Sequence, residues 1–201
     1  MADSVKIETL FATRVYRAQL PVALNRDLAK TCLAIAAEDR AGQRWSKQHG
    51  YKGYTSYASL DDLPQRASVF AGLVSLIGRH VRAFGKALDY RQPTLAIDSI
   101  WLNVMDEGAV HTGHIHPHSA ISGTYYVALP KNASALRFED PRLPLMMAAP
   151  VRRENAKRDN LSFVSIVPRP GTLLLWESFV RHEVPQNPAR GKRISISFNY
   201  A

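Results

Sequence analysis

The amino-acid sequence predicts an α+β, mainly β domain: antiparallel strands folded as a sandwich, jelly roll or barrel, with supporting helices near the N-terminus. Three observations predict it. Helical spacing of apolar residues is confined to the stretch before Tyr90. After Tyr90 the period changes to alternating or continuously apolar runs separated by Gly, Pro and Asn. No helical pattern divides those runs, which argues against parallel sheets with crossover helices.

In chain order, the segment near Val5 to Tyr16 offers one or two strands. Leu24, Leu28, Cys32, Leu33, Ile35 and Ala36 set a helix over roughly 24–39, with Asn25 or Asp27 serving its N-terminal end. The stretch 42–60, broken by Gly50-Tyr51-Lys52-Gly53-Tyr54, reads as an exposed, irregular loop. Beyond Pro64, residues Val69, Phe70, Leu73, Leu76, Ile77, Val81, Phe84 and Leu88 define the longest helix. Six strands follow, over 95–105, 121–129, 135–138, 163–167, 172–176 and 193–200. Segment 141–161, with three prolines and the run Arg152, Arg153, Lys157 and Arg158, reads as a long insertion between strands. With no internal repeat and no linker, residues 1–201 read as one domain, 1–90 packing on a β core over 91–201.

Composition narrows the class. Of 201 residues 46% are hydrophobic and 21% charged, which excludes disorder, and 11 Gly with 12 Pro exclude a collagen-like repeat. The single cysteine, Cys32, cannot form an internal disulfide, and its apolar neighbours make it a buried small hydrophobe in a reducing, cytoplasmic setting. No window reaches the ~20 apolar residues that span a bilayer, and the N-terminus lacks a basic run followed by an apolar core. The chain is therefore expected to be neither exported nor inserted. A net charge of +9 suits an anionic partner or a solvated basic surface.

Four of the seven histidines fall in eight residues, His111-Thr-Gly-His114-Ile-His116-Pro-His118. Imidazole is a common ligand for Fe, Zn, Cu and Ni, and a strand puts residues i and i+2 on one face, so His114 and His116 can present two nitrogens to one ion. His182, beyond the apolar strand 172–176, offers a third. The alternative is a surface cluster that titrates without a ligand. On the last strand, alternation puts Arg193, Ser195, Ser197 and Asn199 on one face and Ile194, Ile196 and Phe198 on the other. Arg193 and Ser195 side by side suit a carboxylate, which a guanidinium grips bidentately. Trp101 and Trp176 read as core.

With these residues in place, the chain resembles the double-stranded β-helix oxygenases that use Fe(II) and 2-oxoglutarate, and more narrowly the 2OG-Fe(II) oxygenase family found in bacteria and their phages. The resemblance is carried by segment 101–119, by Ile121-Ser-Gly-Thr-Tyr-Tyr-Val127, by Leu136-Arg-Phe-Glu-Asp-Pro-Arg142, and by the stretch from Pro170-Gly-Thr to Asn199. It implies a jelly-roll (cupin-like) core and a dioxygenase that hydroxylates a substrate while 2-oxoglutarate and O2 become succinate and CO2. It also implies an iron site. The superfamily's usual His-x-Asp/Glu pair is here His114-Ile-His116, so the carboxylate is missing, and the ligands implied are His182, His114 and His116, with Asp140, His111 and His118 as alternates. By the same resemblance Arg193 and Ser195 hold the distal carboxylate of 2-oxoglutarate, with Asn103 and Tyr125 reaching it from the opposite wall.

Two other readings remain open on the residues. A cupin-like barrel holding Zn, Mn or Ni can act as an isomerase, or as a dioxygenase without 2-oxoglutarate. A binding module can instead hold nucleic acid or an acidic protein through residues 152–158 and Tyr51, Tyr54 and Tyr57, though this is the less favoured. The loops 42–60 and 141–161 carry Lys, Arg and Tyr, which points to a polar or anionic substrate. An unpaired barrel edge also permits a homodimer.

Overall fold

The computed structural model describes residues 4–91 and 95–201. The helices lie in the N-terminal part: α1 (Asn25–Glu38), α2 (Arg40–Gln48), the short α3 (Leu63–Arg66) and α4 (Ser68–Ala87). Strand β1 (Val15–Gln19) precedes them, β2 (Gly53–Thr55) lies between α2 and α3, and β3 (Ile97–Met105), β4 (His111–His114), β5 (Ile121–Ala128), β6 (Leu136–Glu139), β7 (Phe163–Ile166), β8 (Thr172–Glu177), β9 (His182–Val184) and β10 (Arg193–Tyr200) follow. They form a six-stranded sheet in the order β1-β8-β5-β10-β3-β2 and a four-stranded sheet in the order β4-β9-β6-β7, antiparallel throughout. The mainly β class with N-terminal helices is what the sequence predicts.

Both faces of the large sheet are buried, which explains why β8 reads as an unbroken run of Leu173, Leu174, Leu175 and Trp176. One face packs on the helices. There Leu28 and Cys32 of α1 and Phe70, Leu73, Ile77 and Val81 of α4, at three- and four-residue spacing, meet Leu173, Leu175, Ile194, Ile196 and Phe198. The other face packs on the small sheet, where Met105, Tyr126, Leu174 and Trp176 meet Leu136, Phe138, Ile166 and Val184. Burial pushes the Cys32 thiol up to about 12, the behaviour of an inert core residue.

Several elements differ from the sequence reading. Stretch 42–60 is not an irregular loop: Asp39 caps α2 by accepting from the Ala41 and Gly42 amides at 3.1 Å each, and β2 joins the sheet edge through β3. Tyr54 is buried there, donating to Asp39 at 2.7 Å. Asn25 opens α1 but does not cap it; its amide donates to Val127 O at 2.7 Å and its carbonyl accepts from the Tyr125 hydroxyl at 2.5 Å. The leading strand is confined to Val15–Gln19, and residues 4–14 have no regular structure. Strands β4 and β9 were too short and too polar to stand out by pattern.

Close packing excludes a side chain at Gly123 on β5. A Cβ there would lie 2.5 Å from the Phe198 ring and 2.6 Å from Leu175, so the sheet needs a residue without a side chain at this crossing. Gly123→Ala is expected to destabilise the chain by about 1–3 kcal/mol, the usual cost of overpacking, read as a lower midpoint in thermal unfolding.

Candidate metal centre and anion site

The small sheet brings the histidines together. β4 ends at His114, which pairs in register with His182, the first residue of β9. Between His111 and His114 the register shifts, so the ladder carries a bulge. His116 lies beyond the strand, not on it as the i, i+2 argument requires. Its place is fixed instead by the backbone, since its N–H donates to the Ser178 carbonyl at 3.0 Å. Ring centroids then stand 4.5 Å apart for His114 and His182, 5.1 Å for His116 and His182, and 5.0 Å for His114 and His116. One ligand nitrogen from each lies within 4.8 Å of the others.

Backbone carbonyls orient two of the rings. His114 Nδ1 is 2.7 Å from Thr112 O and His182 Nδ1 is 2.9 Å from Val180 O. A carbonyl can only accept, so Nδ1 carries the proton in both and Nε2 is left with its lone pair. Trp176 packs edge-on against His182 at 4.6 Å. Burial, with repulsion from His114, drives His182 down to about 3 and His116 down to about 4. At neutral pH these two rings are uncharged and ready to donate an electron pair.

The alternates fare differently. His111 is half-buried, stacks on Tyr51 at 4.8 Å and lies 6.2 Å from the His114 ring, beside the three-histidine group but not in it. Asp140 is taken by Arg142, whose Nη2 donates to it at 2.8 Å, and His118 is exposed with a φ of 70°. Neither is brought to the cluster.

The inward face of the large sheet carries the candidate anion-binding residues. Arg193, Ser195, Ser197 and Asn199 share that face, and register places Asn103 and Tyr126 beside Ser195. Most of the row is satisfied from within: Asn103 donates to Ser197 at 3.3 Å and accepts from Thr55 at 2.8 Å, while Asn199 accepts from Ser122 at 2.8 Å. Arg193 is the exception. It is 2% exposed and lies over the Tyr126 ring at 5.2 Å, and its Nη1 reaches only Ser195 Oγ and Met105 Sδ, both at 3.4 Å. Its Nε and Nη2 are without partners, as are the buried hydroxyls of Tyr126 and Tyr51. Among the described residues no carboxylate pairs with Arg193. A buried, unpaired guanidinium costs several kcal/mol, and a bound anion removes that cost.

Tyr125, expected on the opposite wall, faces the helices and bonds Asn25; its neighbour Tyr126 faces inward. The phase of β5 is carried by Ser122 and Thr124, which share the parity of Tyr126. Tyr51 was also missed, because its glycine-rich surroundings read as an exposed loop.

A family model described as "Putative 2OG-Fe(II) oxygenase" matches residues 99–199. The chain belongs to this family. It is an Fe(II)- and 2-oxoglutarate-dependent oxygenase whose substrate is unidentified, and its histidine group fits the iron that the family uses. Solved structures with the same fold include a Pseudomonas putida prolyl-4-hydroxylase, at 18% identity and TM-score 0.59, covering 94% of this chain and 92% of that one. The viral collagen prolyl hydroxylase of Paramecium Bursaria Chlorella virus-1 aligns at 10% identity and TM-score 0.56, covering 93% and 96%. HygX from Streptomyces hygroscopicus, solved with nickel and 2-oxoglutarate, aligns at 14% identity and TM-score 0.63, covering 94% and 82%. These show the oxygenase's double-stranded β-helix. No curated protein matches the chain.

The lowered histidine pKa values set a pH dependence for the oxygenase without metal. In the unfolded chain histidine titrates near 6.5, whereas folded His182 and His116 accept protons only near 3 and 4. The unfolded state therefore binds more protons between those limits, and stability falls as pH drops from 6.5 toward 4. Metal-free protein is expected to lose thermal midpoint steadily over that range, and His182→Gln to flatten the slope.

Proposed function

We propose that His114, His116 and His182 hold the iron of this oxygenase and that Arg193, with Ser195 Oγ, binds the distal carboxylate of 2-oxoglutarate. The unpaired Arg193 guanidinium inside the barrel is the observation that carries the reading. The two tyrosine hydroxyls join it: Tyr126 lies under the guanidinium, and the Arg193 charge acts on Tyr51. Each has a proton to donate to a carboxylate, and burial holds both hydroxyls protonated. Asn103 keeps Ser197 and Thr55 in place and so positions the floor beneath the co-substrate, while Tyr125 braces the far side of the sheet.

Bound iron and 2-oxoglutarate supply oxygen activation coupled to decarboxylation, with hydroxylation of the substrate. The chain's own part is to orient and to keep water out. Thr112 and Val180 carbonyls aim two imidazoles, the Ser178 carbonyl holds the backbone of His116, and Trp176 and Phe138 wall off His182. No side chain is needed as a general base. Three imidazole ligands and no carboxylate would leave the metal's two charges uncompensated by protein, which would strengthen its hold on an anionic chelator. The substrate is read as polar or anionic, supported by the exposed Lys and Arg of 141–161. A cytoplasmic setting is supported by the lone, buried Cys32. No helix among the described residues is long and apolar enough to cross a membrane.

Anaerobic titration with Fe(II) and 2-oxoglutarate tests the assignment. Wild type is expected to develop the weak visible band of the chelate, and His182→Ala and Arg193→Ala to lose it. Tyr126→Phe is expected to weaken 2-oxoglutarate about 10-fold or more, the worth of one hydrogen bond to a charged group. Metal binding without a band would instead favour a cupin-like chemistry that does not use 2-oxoglutarate.

A further inference from the structure

A line of aromatic rings leads from the surface to the histidine group. Trp101 of β3 stands 5.6 Å from His116, Tyr57 packs edge-on against Trp101 at 5.3 Å, and Trp45 of α2 lies 6.4 Å from Tyr57. His49 stacks on Trp45 at 4.1 Å. Trp101 is buried but Tyr57 is 59% exposed, so the line runs from solvent to the metal ligands. Phe179, 55% exposed, adjoins Ser178, the residue whose carbonyl holds His116. Tyr57 and Phe179 leave ring surface open to solvent beside the histidine group.

Two stretches of the chain carry exposed cations. α2, which carries Trp45, also carries exposed Arg40, Arg44 and Lys47, and none of them makes an ion pair among the described residues. Asp39 does not neutralise them, being engaged by Ser59, Tyr54 and the two capping amides. On the far side, Phe138 pairs with His182, and from Asp140 onward the chain leaves the small sheet as the long 141–161 segment. That segment therefore springs from beside the histidines. It exposes Arg152, Arg153, Lys157 and Arg158 against only Glu154 and Asp159. A net charge of +9 adds long-range attraction for a polyanion.

We propose that the mouth of the site receives single-stranded nucleic acid, a base stacking on Tyr57 and Phe179 while phosphates lie on α2 and on residues 152–158. This rests on the oxygenase reading for where the mouth is. A single strand offers flat faces between regularly spaced negative charges, the pairing of groups that this surface presents. An acidic peptide satisfies the cations but leaves the rings idle. A duplex has its base faces stacked on each other and closed to Tyr57.

The test is fluorescence anisotropy of a labelled oligothymidylate of about twelve nucleotides with the full chain, without added iron or 2-oxoglutarate. Binding is expected to weaken about tenfold or more between about 50 and 200 mM salt. Tyr57→Ala is expected to weaken it about fivefold or more, with Tyr57→Phe restoring it, and Arg44→Ala with Lys47→Ala to flatten the salt dependence. Equal binding of poly-glutamate or of the duplex, or wild-type binding by Tyr57→Ala, overturns the proposal. A chain that gives the chelate band but ignores the oligonucleotide fails this inference alone; one that binds the oligonucleotide without a band fails the oxygenase assignment alone.

Discussion

The structure depends on the two-sidedness of β10. Ile194, Ile196 and Phe198 fill the helix-facing core, while Arg193, Ser195, Ser197 and Asn199 line the space between the sheets. Because β10 sits between β5 and β3 in the large sheet, its phase sets theirs: Asn103 and Met105 on one side and Tyr126 on the other turn inward with it. A slip of one residue would put the guanidinium into the helix-facing core and the isoleucines into the polar interior. Apolar burial on one face therefore holds the charged site on the other.

How much of this was legible depended on the element. The last strand declared both faces, because large apolar and polar residues alternate without exception from Arg193 to Asn199. The long helix α4 was equally plain from its spacing. β5 was not, because both of its faces are buried and Tyr125 and Tyr126 are neighbours of one type. Its polar members Ser122 and Thr124 share the parity of Tyr126, and weighing them would have set the phase. Stretch 42–60 hides its structure because α2 is short and carries a glycine: Gly42 sits inside it, where a Cβ would fall 2.3 Å from Asp39 Oδ2 and 2.7 Å from Tyr54. The histidine group was visible by composition, yet the argument that joined His114 to His116 was wrong in geometry. A turn anchored to Ser178 does what strand alternation was expected to do, and hydrogen bonds of this kind leave no mark in a pattern of side chains.

The interior combines a permanent cation with imidazoles held neutral. Burial, His114 and Arg193, in that order, lower the pKa of His111, so its ring resists protonation. On the proposed assignment an anion would offset the guanidinium while a metal would take up the lone pairs that desolvated imidazoles present.

The bulge in β4 has a bearing on how this segment can change length. In a regular strand, residues three apart point to opposite faces, and His111 and His114 would be divided between inside and outside. Here His111 pairs with Val184 and His114 with His182, three steps on one strand against two on the other, and both rings end up inside. The odd residue acts as a parity correction. Deleting one residue between these histidines would remove the bulge and leave two steps against two, with both rings still on one face, so the bulge is how a three-residue spacing meets the parity the site needs.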